Sequence, residues 1–186
     1  MVSVATVRSW MDNSVGARPS GATETETAMA PESTDSFLVE RSIDVAASPA
    51  TLHGLIEDFR RWPEWSPWEV LDPTMTRTYG GADRGVGATY TWSGNRKAGS
   101  GSMVITESVP GQKVVLDLTF LKPFKAENVT TFLLEPSGDG TTVRWRMTGK
   151  KTWFFKVFGF IFSMDKMVGK DFEKGLAKLK ALAEAG

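Results

Sequence analysis

Between Gly87 and Lys150, four polar residues share the parity of the apolar ones: Tyr90, Glu107, Asn128 and Thr130. Each could act on a small molecule held against an oily surface. A carboxylate on an apolar face, as at Glu107, is a candidate acid or base. A phenol such as Tyr90 can donate toward a carbonyl. The Asn128 amide and Thr130 hydroxyl can bond a ligand oxygen, or equally each other or water. Glu107 stands near a strand end, just before Pro110-Gly111, where a rim position paired with Lys or Arg is the plainer reading.

Other chemistries lack their residues. The chain has no cysteine, which excludes thiol nucleophiles, disulfides and Cys-based zinc sites. His53 is the only histidine; it falls inside a predicted helix with no nucleophile motif nearby and reads as a surface or helix-packing residue. The glycines of GGADRGVG (80–87) fit neither phosphate-binding fingerprint and precede a strand, so they read as a turn. No metal, nucleotide or flavin is implied. Lys plus Arg balances Asp plus Glu at 22 each, so no basic excess points to nucleic acid or anionic membranes. No run reaches the ~18 apolar residues of a transmembrane span.

The elements that must position these groups emerge from periodicity. Val114 to Phe120 places Val114, Leu116, Leu118 and Phe120 on one parity and Asp117 and Thr119 on the other, the pattern of a strand buried on one face. Strands are expected at 37–46, weakly at 75–79, then at 88–92, 101–109, 114–121, 126–135 and 141–149. The turns between carry Pro110-Gly111, Lys122-Pro123 and Ser137 to Gly140. Ser48-Pro49 opens a helix, and Pro63 and Pro67 break the stretch after it. From Met164 to Ala183, Val168, Phe172, Leu176, Leu179 and Leu182 recur at helical spacing, and most of the lysines fall at other angles. Residues 1–36, rich in Ser, Thr, Ala, Glu and Gly, are expected to form a disordered tail before one domain at 37–186. They lack the apolar core of a secretory signal, and a cytoplasmic location is expected.

This order resembles the helix-grip fold of the START and birch-pollen-allergen (SRPBCC) superfamily, in particular its bacterial polyketide cyclase/dehydrase and lipid-transport branch. The likeness is carried by WPEWSPW (62–68), GVGATYTWSGN (85–95), AGSGSMVITESVPG (98–111) and MDKMVGKDFEKGLAKLK (164–180). It implies an α+β protein: a curved antiparallel sheet of about seven strands around a long C-terminal helix, with two short helices after the first strand. It also implies a pocket between sheet and helix. On that basis the expected ligand contacts are Trp65, Trp68, Tyr90, Trp92, Met103, Glu107, Leu118, Phe120, Asn128, Thr130, Phe132, Trp145, Met147, Phe158 and Met164. The tryptophans could equally wedge the short helices against the sheet.

WFFKVFGFIF (153–162) reads as core, as a gate hinged at Gly159, or as a docking patch supporting weak self-association. Three functions remain open. The first is binding of an apolar small molecule such as a lipid, polyketide or aromatic. The second is a cyclase or dehydrase using Glu107 or Tyr90 to move protons, and the third is a protein-interaction module. Without a nucleophile or metal set, binding is favoured.

Overall fold

The computed structural model describes residues 36–150 and 164–186. The expectations for residues 1–35 and for 153–162 lie outside them. Among the described residues the elements run in order: β1 (Ser36–Val45), α1 (Pro49–Glu57), a 3-10 helix (Phe59–Glu64), β2 (Thr76–Gly81), β3 (Ala88–Ser93), β4 (Ser100–Val109), β5 (Lys113–Lys122), β6 (Ala126–Ser137), β7 (Gly140–Lys150) and α2 (Met164–Ala185). The strands form one antiparallel sheet in the order β1-β7-β6-β5-β4-β3-β2. Strands 2 to 7 are a plain meander. β1 closes the order by pairing with β7, which joins the first strand to the last.

Local chemistry sets the element ends. Ser48 caps α1 by accepting from the Thr51 amide at 3.1 Å, and Pro49 occupies the first turn, where its missing donor costs nothing. The carbonyls at the end of α1 are met by the tryptophans downstream. Trp62 Nε1 donates to the Ile56 carbonyl at 2.9 Å and Trp65 Nε1 to that of Leu55 at 3.2 Å. The chain therefore folds back under its own helix, and the indoles enter the core with their polar atoms satisfied.

In α2, Phe172, Leu176, Leu179 and Ala183 are buried with Val168 and Leu182 packed beside them, while Lys166, Lys170, Lys174 and Lys178 are exposed. That stripe lies on the concave face of the sheet. Gly175 permits the close approach: a Cβ there would sit 2.8 Å from the Trp145 ring and 2.9 Å from Pro67. Arg41, on edge strand β1, ties the first half of α2 down through Asp165 at 2.7 Å and Glu173 at 2.8 Å.

The sheet register sets the concave face out in rows. One row runs Arg41, Trp145, Phe132, Val114; a neighbouring row runs Val39, Met147, Thr130, Leu116, Ile105; the next runs Phe37, Gly149, Asn128, Leu118, Met103, Tyr90, Tyr79. α1 packs against β5 and β6. The end of the sheet it covers is called proximal below, and the end holding Asn128 and Gly149 distal.

Candidate functional site

The proximal half is filled by aromatic rings. Trp145 stacks on Phe172 of α2 at 4.2 Å between centroids and lies 4.7 Å from Phe132; Trp65 meets both Phe132 and Trp145 edge-on. Trp62 and Trp68 extend the cluster. Phe132, Val114 and Leu116 are 0 % exposed, as is Trp65, so these side chains offer no surface to a ligand in this arrangement. The Trp145 Nε1 atom is fully buried without a hydrogen-bond partner, the one side-chain polar atom so placed among the described residues.

The distal half is less closed. Trp92, Met103, Leu118 and Asn128 each keep 7–9 % of their surface, and Phe120 is half-buried. Tyr79, Tyr90, Trp92 and Phe120 form a ladder of rings along its side, with centroid spacings of 5.3, 6.0 and 5.7 Å. Asn128 and Thr130 lie two residues apart on β6, both buried. Neither side chain has a hydrogen-bond partner among the described residues. Gly149, opposite Asn128, makes the arrangement possible: a Cβ there would collide with the Asn128 amide oxygen and press on the Phe37 ring. Met147 borders Thr130 on β7.

Two of the four polar residues expected to face a ligand are otherwise engaged. Glu107 does not face inward. A β-bulge between Ile105 and Glu107 inserts an extra residue, after which Ser108, not Glu107, stands opposite Val114 on the concave side. Glu107 is exposed and pairs with Lys113 at 2.8 Å. Tyr90 does point inward, but its hydroxyl donates to Glu69 Oε1 at 2.7 Å, and Arg77 Nε holds the other oxygen at 2.6 Å. Burial, and then the hydrogen bond to Glu69, push the Tyr90 phenol well above its ordinary value. Burial likewise raises Tyr79. Glu69 is not singled out by the sequence; its only local signal is a lone carboxylate directly after WPEWSPW.

Of the other expected contacts, Phe158 lies outside the described residues, and of Met164 only the backbone, at the start of α2, is described. Two open concavities formed by described residues lie elsewhere. One, about 610 Å³, runs along Val109, Gln112, Lys113 and Leu133 to Pro136 at the proximal rim. The other, about 370 Å³, separates α1 from the end of α2. Neither is lined by a residue expected to touch a ligand.

Residues 36–184 match the family model described as polyketide cyclase / dehydrase and lipid transport, and the chain belongs to that family. A crystal structure of a Chromobacterium violaceum protein is similar at 16% identity and a TM-score of 0.58, covering 79% of this chain and 96% of that one. The di-domain ARO/CYC StfQ of the steffimycin biosynthetic pathway is similar at 14% identity and a TM-score of 0.59, over 81% of this chain and 52% of its own. The Aha1 dimer of Colwellia psychrerythraea is similar at 20% identity and a TM-score of 0.54, over 81% and 98%. At these identities the likeness is one of fold: the curved sheet gripping a C-terminal helix. No curated protein gives a significant match. Among the described residues, no helix is long and apolar enough to cross a membrane.

Proposed function

We propose that this protein binds an apolar small molecule that carries at least one oxygen, in the distal half of the space between the sheet and α2. The observation that carries this reading is the pair Asn128 and Thr130. Each is a buried polar side chain, and neither has a hydrogen-bond partner among the described residues. Neither has a polar atom that is both fully buried and unpartnered, so a ligand oxygen or a water can reach them. Around them stand Leu118, Met103, Met147, Trp92 and Phe120, an apolar lining with few polar groups, which is the ordinary make-up of a small-molecule site. The family description spans lipid transport and polyketide cyclisation, and StfQ comes from a biosynthetic pathway; both fit a ligand of this kind.

Binding is favoured over chemistry because the proposed proton-moving groups are committed elsewhere. Glu107 faces outward in an ion pair, and the Tyr90 hydroxyl is held by Glu69. Native mass spectrometry of freshly purified protein, followed by thermal shifts across fatty acids and hydroxylated polycyclic aromatics, tests the reading. The expected result is a retained or added ligand mass and a stabilisation that Leu118→Trp abolishes. A ligand-free mass with no shift across the panel would refute it.

A further inference from the structure

The bulge that turns Glu107 outward turns Ser108 toward α1. There Ser108 Oγ lies 3.0 Å from His53 Nε2 and 3.1 Å from Glu57 Oε2, and that same carboxylate oxygen lies 3.6 Å from His53 Nδ1. His53 and Glu57 are one turn apart on α1, and Ser108 is 55 residues downstream of His53. His53 is buried, whereas Ser108 keeps partial exposure. Arg84 stands 3.9 Å from the other Glu57 oxygen, and it lines the 370 Å³ concavity together with Gly54 and Asp58, which flank the same turns of α1.

A serine hydroxyl has one proton, and here it faces two acceptors. Ser108 Oγ donates to Glu57 Oε2 at 3.1 Å; with the His53 proton on Nδ1, the hydroxyl can turn instead to Nε2 at 3.0 Å. That turn pairs a nucleophile with a base, while Glu57, 3.6 Å from Nδ1, is a neighbour of the imidazole and not hydrogen-bonded to it. No local motif announces it, because the three residues meet only through the bulge and the docking of α1. Such a constellation is defined by geometry and not by sequence position.

We propose that Ser108, His53 and Glu57 form a second reactive site, independent of the sheet–helix pocket, at which Ser108 accepts an acyl group from a small activated ester. Ser108 Oγ bonds to the acyl carbon while its proton passes to His53 Nε2. The ester C–O bond breaks, and the alcohol departs with that proton. Water, giving a proton to the same nitrogen, then attacks the acyl-serine, releasing the carboxylic acid and restoring Ser108. The sum is ester plus water to acid plus alcohol. Glu57 Oε2, 3.1 Å from Ser108 Oγ, competes with His53 for the hydroxyl proton and forms no bond to the acyl carbon.

The full chain is to be incubated with p-nitrophenyl acetate and, separately, with a fluorophosphonate, and then read by nitrophenol release, intact mass and peptide mapping. The expected result is one phosphonyl group per chain, on Ser108, and nitrophenol release that falls at least 10-fold in both Ser108→Ala and His53→Gln. Label on another residue or none, or release unchanged in Ser108→Ala, overturns the proposal. If Ser108→Ala does not fold, Ser108→Cys takes its place. In a chain that otherwise lacks cysteine it supplies a single thiol. Its alkylation by iodoacetamide is expected to slow at least 10-fold when His53→Gln is added, and equal rates with and without His53 overturn the proposal.

Discussion

The two halves of the concave face are written in the same pattern and end differently. In both, alternate residues of β5, β6 and β7 point inward. In the proximal half the inward residues are Phe132, Leu134, Val143 and Trp145, and the indoles of Trp62 and Trp65 descend on them from above. In the distal half they are Asn128, Thr130, Met147 and the side-chain-free Gly149. One half holds large rings, with the Trp62 and Trp65 donors met by helix carbonyls. The other holds short polar groups with no partner among the described residues, beside a glycine that adds no volume. A domain that concentrates its ring packing at one end can leave the other available, since the packed end supplies the stability that an open site lacks.

The sharpest way to break this contrast is to remove the packing. Trp65→Ala deletes a 0 % exposed ring that touches Trp62, Phe132 and Trp145 and that holds the Leu55 carbonyl. It is expected to cost about 3–5 kcal/mol in urea unfolding. Leu118→Ala in the distal half is expected at the low end of its class, about 2 kcal/mol. Equal costs would mean that the two halves are packed alike.

Next comes the Tyr90–Glu69–Arg77 group, which walls the distal half. The folded-state pKa values of Tyr90 and Tyr79 are raised, so both stay neutral when an unfolded tyrosine would ionise. Above the unfolded value of about 10, the unfolded chain loses protons that the folded chain keeps, and stability falls as pH rises. Below that value the contribution is fully present. Tyr90→Phe is expected to flatten the alkaline limb of a plot of Tm against pH from about 9 to 11, leaving only the Tyr79 share. An unchanged limb would remove Tyr90 as its cause.

The distal polar pair is then tested directly. In Asn128→Ala with Thr130→Val, affinity for an oxygen-bearing ligand is expected to fall about 10-fold, the worth of roughly one net hydrogen bond. The Tm of the free protein should hold, because neither side chain bonds another described residue. A lower Tm with unchanged affinity would make the pair structural.

Much of this is legible in the residues themselves. Period-two alternation locates β3 to β7, and β2 only weakly, and assigns their inward parity up to the bulge in β4, because a one-residue slip would expose the whole apolar set. The stripe of α2 and the Ser48-Pro49 cap are equally local. What escapes depends on distance. Glu69 finds its partners 8 and 21 residues away, and His53 finds Ser108 55 residues away. Alternation also carries no sign of whether the volume above it is filled, so Trp65, Phe132 and Trp145 read like Leu118 and Met147 until α2 and the indoles are in place. The bulge is invisible for a different reason: an extra residue in β4 changes the facing of its successors without changing their composition.

Glu107 is where that lesson yields its smallest and cleanest measurement. Parity alone places it inside, where removing its charge would alter both stability and ligand affinity by more than about 1 kcal/mol. The bulge places it outside with Lys113, as a half-exposed surface pair. Glu107→Gln is therefore expected to change urea stability by less than about 0.5 kcal/mol, less still at high salt, and to leave ligand affinity unchanged. A larger effect would mean that β4 runs without its bulge, and Ser108 would then no longer face His53.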